Sequence, residues 1–190
     1  MNNRNLRLDS LKGFLIFLVI LGHIPGDYNL NYFIYVFHMP LFVLLSGYFT
    51  KTPSNLKDLW YSLKGIAKPL IIFQFIYVSL DYVIFNRIEI ASIITPFWIL
   101  WYLMSLILWR LISFLLQQPI HNFPILFFIV AIVIALFSGY CPIRNPFSLQ
   151  RTLNFFPFFL AGLYLRQRAD VLSSLTAMGG QKSLRYLCWF

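Results

Sequence analysis

The chain has 190 residues, of which 59% are hydrophobic, 19% aromatic and only 11% charged, and its formal net charge is +9. A soluble domain carries charge on about a quarter of its residues, so this composition excludes that class. Strong basicity can signal a nucleic-acid partner, but here the charge follows a topological pattern and no nucleic-acid partner is expected.

In chain order, six apolar runs reach or approach the length needed to cross about 30 Å of hydrocarbon. They are Leu11–Ile24, Tyr32–Phe49, Pro69–Phe85, Pro96–Leu116, Phe123–Tyr140 and Leu153–Leu165. The first and last are short and need their polar flanks to complete a crossing. A seventh run, Leu184–Phe190, is beginning where the sequence stops. The expected fold is all-α: a polytopic transmembrane helix bundle of about six spans plus the start of a seventh. The polar stretches near residues 50–68 and 166–183 read as cytoplasmic loops, and no soluble module is visible.

With the N-terminus in the cytoplasm, only Arg87, Arg144 and Arg151 of the 15 Lys and Arg residues fall on the outer side. That is the positive-inside bias, and it accounts for the basicity. Cys141 and Cys188 then lie on opposite faces of the membrane, with neither disulfide nor metal-ligand spacing, and no metal is expected. A basic start followed by "FLIFLVIL" resembles a signal peptide, but Gly22, His23, Ile24 and Pro25 follow in place of a small-residue cleavage site.

The informative residues are polar ones inside apolar runs. On a helix, Lys12 and His23 fall about 20° apart and about 16.5 Å along the axis, with Asp9 about 40° to the other side of the His23 line. Asp9, Lys12 and His23 therefore form one stripe, directed at a cavity or a partner helix. The plain alternative is that they are interfacial residues at the two ends of a span, where charged side chains snorkel. The second run carries His38 near its middle, then Pro40, Ser46 and Gly47. Pro40 cannot donate to the Val36 carbonyl, so that oxygen needs another partner. Two intramembrane histidines on adjacent spans favour a polar pocket over defects in lipid-facing helices. Asp81 in the third run is a candidate pocket acid or pairing partner. Trp98, Trp101 and Tyr102 read as an outer aromatic belt, with Trp101 also a candidate pocket residue. Arg151 stands just before "TLNFFPFFLAG" and alone would pass for a loop arginine.

"RLDSLKGFLIFLVILGH" followed by "FIYVFHMPLFVLLSGYF" resembles the integral-membrane acyltransferase family 3, especially its sugar O-acetylase, fucose 4-O-acetylase-like branch. The positions carrying the resemblance are Lys12 with His23, then His38, Met39, Pro40, Leu41, Phe42, Ser46, Gly47 and Tyr48. "WYLMSLILWR" is similar to the family's Trp-Phe-Leu span, and "RTLNFFPFFLAGLYL" to its arginine-led span, which makes Arg151 a family position. Residues 4–168 follow the family order. Two departures stand out. Where the family often has two arginines, this chain reads "KGIAKPL", with Lys64 and Lys68. The family domain is also longer, so residues 1–190 are expected to form the N-terminal part of a single transmembrane acyltransferase-like domain.

The resemblance implies transfer of an acetyl group from acetyl-CoA to a hydroxyl of an envelope sugar or polysaccharide, or its lipid-linked precursor. It implies a bacterial cytoplasmic (inner) membrane location with the N-terminus inside and membrane lipid as surroundings. The residue types suit that chemistry: a histidine to take the hydroxyl proton, and a cation for the oxyanion and the anionic donor. The expected catalytic set is His23, Lys12, His38 and Arg151, with Lys12, Lys64 and Lys68 toward the donor and Asp9, Ser46 and Trp101 toward the substrate pocket. Two other readings stay open on the residues alone: a proton-coupled transporter whose histidines relay protons, and a non-catalytic truncated remnant of an acyltransferase.

Overall fold

The computed structural model of the chain describes residues 6–23, 28–86, 95–140 and 148–187, with side chains placed over 10–22, 32–86, 95–97, 99–140 and 148–169. Among the described residues there is no strand, and every apolar run of the sequence lies on a helix. The helices are α1 (Leu6–His23), α2 (Tyr28–Phe49), α3 (Leu56–Phe85), α4 (Trp101–Leu115, entered through a 3₁₀ turn at Trp98–Leu100), α5 (Gln117–Asn122), α6 (Pro124–Tyr140) and α7 (Leu149–Leu187). Tyr32–Phe49 and Leu56–Phe85 are long and apolar enough to cross a membrane by themselves. Ser10–Gly22, Trp101–Leu115 and Pro124–Tyr140 are apolar but shorter. Many large apolar side chains point outward, Phe75 at 72% and Phe137 at 75% exposure among them, as helices facing lipid require. The chain is an all-α membrane protein.

The two polar stretches expected to be loops are largely helical. Helix α3 starts at Leu56, well before the apolar run, because Asn55 is an effective N-cap: its side-chain oxygen accepts the Asp58 backbone N–H at 2.9 Å. Asp58 also places a negative charge in the first turn, where the helix dipole favours it. At the other end Asn86 closes the helix in the left-handed conformation, its N–H donating to the Tyr82 carbonyl at 2.8 Å. Helix α7 likewise continues past its apolar run to Leu187, and no proline interrupts residues 158–187. Hydropathy marks where a helix can meet lipid; backbone hydrogen bonding continues wherever good helix formers follow.

The chain divides into two compact units. The first comprises residues 1–49 and 161–190, the second residues 50–160. In the first, α1 and α2 pack as an antiparallel pair around Leu15, Leu18, Ile34 and Leu45, with Leu11, Leu21, Phe37, Leu41 and Phe42 around them. The later part of α7 joins this unit at Gly162. A Cβ there would overlap the Leu44 carbonyl oxygen and come within 2.7 Å of the Tyr48 amide nitrogen, so only glycine permits the approach.

In the second unit α3 and α4 run antiparallel. Gln74 ties the chain entering α4 to α3, its Nε2 donating to the Thr95 carbonyl at 3.0 Å and its Oε1 accepting the Phe97 N–H at 3.1 Å. Tyr77 stacks on Phe97 with ring centroids 5.8 Å apart. The start of α7 runs parallel to α4, as one intervening crossing demands. Trp101 stacks on Phe155 at 5.7 Å and Trp109 on Phe159 at 5.4 Å. Trp109 Nε1 donates to the Thr152 carbonyl at 2.8 Å, and the Ser105 and Thr152 hydroxyls meet at 2.7 Å. Gln150 Nε2 donates to the Ser138 carbonyl at 2.9 Å, fastening α6 to α7.

Candidate active site

The first unit has two polar ends. At one, Lys12 Nζ lies 3.6 Å from the centroid of the Phe49 ring, a cation–π contact between α1 and the last residue of α2. Arg166 of α7 reaches the same end of α2, its Nη1 donating to the Tyr48 carbonyl at 3.2 Å. The final carbonyls of a helix carry the negative end of its dipole, which favours two cations there. The other end lies about 16.5 Å along α1 from Lys12. There Gly22 is buried against α2, so close that a Cβ would lie 3.4 Å from the Ile34 side chain and 3.6 Å from the Tyr35 ring. His23 follows Gly22 on α1, which sets its backbone near the level of Ile34 and Tyr35, about one turn short of His38. The side chains of His23 and Asp9 lie outside the described residues.

His38 is wholly buried, and its ring packs beside Tyr35 with centroids 5.2 Å apart. Its Nδ1 lies 2.6 Å from the Ile34 carbonyl oxygen. A carbonyl can only accept, so in the neutral ring Nδ1 carries the hydrogen and Nε2 carries the lone pair. The Nδ1 bond also fixes the ring plane. The carbonyl engaged is that of Ile34, one turn back on the same face, and not that of Val36, which the proline had pointed to. Two residues on a helix stand about 200° apart, too far round for the ring to reach. Ser46 donates its hydroxyl hydrogen to Phe42 O at 2.8 Å, a bond within its own helix.

In the second unit the structure brings together two residues singled out in the sequence: the Arg151 guanidinium lies 5.4 Å from the Trp101 ring centroid. Phe155 takes another contact with that indole, so Trp101 is held between an aromatic ring and a cation. Arg151 itself is exposed. Lys64 and Lys68 are exposed along the first half of α3, and Asp81 is half-buried in its second half.

Sequence reasoning did not single out Arg166, Tyr35, Gln74 or the Ser105–Thr152 pair. Arg166 had a legible signal: it follows Gly162 by four residues, so a small residue and a cation share one face of α7. The others lie in segments whose hydropathy says only that they are embedded.

A buried, oriented histidine and cations gathered at a helix end are costly in a helical membrane protein, which makes them candidate functional residues. Comparison with known proteins is more specific. The family described as acyltransferase domain matches residues 5–178, and the chain belongs to that family. The nodulation protein NolL of Sinorhizobium fredii (strain NGR234) is 28% identical over 217 aligned positions, covering 99% of this chain and 56% of that protein. NolL of Mesorhizobium japonicum is 47% identical over 58 positions, covering 25% of this chain and 16% of that protein. The chain thus spans little more than half the length of the Sinorhizobium relative. No solved structure matches the chain at a significant level.

Proposed function

We propose that the chain serves as a membrane-bound O-acyltransferase that moves an acetyl group from acetyl-CoA to a hydroxyl of an envelope sugar or polysaccharide, free or lipid-linked. Membership of the acyltransferase-domain family supports the reaction class. The observation that carries the reading to particular residues is the histidine end of the α1–α2 pair: His38 enclosed with Nδ1 committed to Ile34 O, and His23 on α1 about one turn nearer that end.

In this reading His23 takes the proton of the acceptor hydroxyl as its oxygen attacks the thioester carbonyl. The carbon–sulfur bond breaks, and the thiolate of CoA leaves and is protonated. His38, its ring fixed by the backbone, positions and polarises the groups around that base. Lys12 holds the anionic donor at the other end of the pair, and Lys64 and Lys68, exposed on α3, are further cations of a type suited to its phosphates. Asp9 orients Lys12, and Ser46 shapes the pocket. Arg151 on Trp101 offers an amphipathic platform and a donor suited to a sugar or to the oxyanion. The location in this reading is a bacterial cytoplasmic membrane with the N-terminus inside.

The test is transfer of radiolabelled acetyl from acetyl-CoA into glycan by membranes holding the chain, with His23→Ala, His38→Ala and Lys12→Met at matched expression. Loss of a general base costs about 10²–10⁴ in rate, so His23→Ala is expected to fall to background. Lys12→Met is expected to raise the KM for acetyl-CoA more than it lowers kcat. Equal label from wild type and His23→Ala, or none from wild type in a host rich in acceptors, would overturn the reading.

A further inference from the structure

Arg110 lies on α4 among apolar neighbours, and the roles above do not use it. Its Nη1 donates to the Ser62 carbonyl of α3 at 3.2 Å and also to the Ser62 hydroxyl oxygen. Both acceptors are neutral. Among the described residues Arg110 forms no ion pair; Asp58, one turn before Ser62 on α3, is exposed and makes none with it. Arg110 Nε is buried and has no hydrogen-bond partner among the described residues. A guanidinium held within a helical membrane unit without a counter-charge is costly, and the cost falls when an anion meets it.

A second observation lies beside the first. Ser113 is 8% exposed, and its Oγ has no partner among the described residues. Other hydroxyls in this chain find a carbonyl one turn back, as Ser46 does with Phe42 and Thr152 with Ser148. Ser113 does not. It stands three residues beyond Arg110, so their Cβ atoms are about 5–6 Å apart on one side of α4.

With Nη1 committed to Ser62, the edge of the guanidinium left for a ligand is Nε–H with Nη2–H, the edge that meets two oxygens of one anion in parallel. Ser113, three residues on along the same side of α4, carries a further hydroxyl donor. A phosphate group offers three terminal oxygens, so each of the three donors can meet a separate one. Lys57, Lys64 and Lys68 on the exposed face of α3 add a positive field at the same end of the unit.

The geometry points to a phosphate-binding site on α4, formed by Arg110 and Ser113 and braced by Ser62. The phosphate comes from one of two sources, the nucleotide part of a CoA-type donor or the headgroup of an anionic lipid. The site itself does not depend on the acetyl-transfer reading; only the first source does.

The test uses the full chain in phosphatidylcholine nanodiscs with two probes, adenosine 3′,5′-bisphosphate in solution and phosphatidylglycerol in the bilayer. Native mass spectrometry and calorimetric titration read occupancy for wild type, Arg110→Met, Arg110→Lys and Ser113→Ala. Charge-assisted bonds of this kind are worth about tenfold or more in affinity, so Arg110→Met is expected to lose at least that much for whichever probe binds. Arg110→Lys keeps the charge without the fork and is expected to fall between; it carries the test if the Met variant does not assemble. Ser113→Ala is expected to lose about threefold to tenfold. Dependence of bisphosphate binding on Arg110 identifies the donor, and dependence of phosphatidylglycerol retention identifies the lipid. If neither probe binds wild type, or both bind Arg110→Met and Arg110→Lys as tightly as wild type, the site is overturned. Because the readout is binding, a chain inactive in acetyl transfer can still confirm or refute it.

Discussion

In the first unit two polar side chains of α2 bond to their own helix: buried His38 to Ile34 O and half-buried Ser46 to Phe42 O. In the second they reach across to a neighbouring helix: Trp109 and Ser105 of α4 to Thr152 of α7, Gln150 of α7 to Ser138 of α6, Arg110 of α4 to Ser62 of α3. Lipid offers apolar side chains nearly the same environment as a partner helix, so helices associate there through close packing and polar bonds. The first unit relies on close packing, with α7 laid onto the α2 backbone at Gly162, and on cations set at the end of α2 by Lys12 and Arg166. The second relies on side-chain bonds, and its polar groups are largely spent on holding helices together. The buried Arg110 Nε and Ser113 Oγ, without partners among the described residues, depart from that rule, and they are the groups assigned above to a phosphate.

Substitutions can break this contrast, beginning with the largest effect. Gly162→Val puts a branched side chain where the Leu44 carbonyl already stands, and a backbone atom cannot swing aside. A loss of about 3 kcal/mol or more is expected, read as a lower melting temperature and less monodisperse protein in detergent. Gly13→Ala is the control, since nothing lies within 4 Å of its Cβ position; it is expected to be neutral or stabilising by about 0.5–1 kcal/mol. Next comes Trp109→Phe, which keeps an aromatic ring against Phe159 but removes the donor to Thr152 O. About 1–2 kcal/mol should be lost, measured by denaturant titration in mixed micelles.

Smaller still is the coupling between Ser105 and Thr152. Thr152 donates onward to Ser148 O at 3.1 Å, so the Ser105 hydroxyl is the donor between them. A cycle of Ser105→Ala, Thr152→Val and the double variant should return about 0.5–1 kcal/mol of interaction energy. Additive losses would mean the second unit does not depend on such bonds. The smallest effect is expected at Ser46→Ala, within about 0.5 kcal/mol, because the Phe42 carbonyl already has a helical partner. A large loss there would show that Ser46 works between helices, and the contrast between the units would fail.

Much of this was written along the chain. The composition required a membrane environment, the apolar runs located the helices, and His38, Lys12 and Arg151 stood out because charge and hydrogen-bonding capacity are costly in hydrocarbon. Helix ends were less legible. An N-cap at Asn55 and a helix continuing to Leu187 depend on backbone hydrogen bonding, which hydropathy does not report.

The sequence by itself determined an all-α membrane protein, because burial preference and helical period are local properties that each segment carries alone, and its motifs carried the resemblance to the acyltransferase family. Only the tertiary structure decided that Arg110 meets Ser62, that Gly162 meets Leu44, and that the His38 ring turns to Ile34 and not to Val36. Those choices depend on the rotation and approach of one helix against another and on the rotamer packing then allows. That information belongs to pairs of segments and is written in neither one alone.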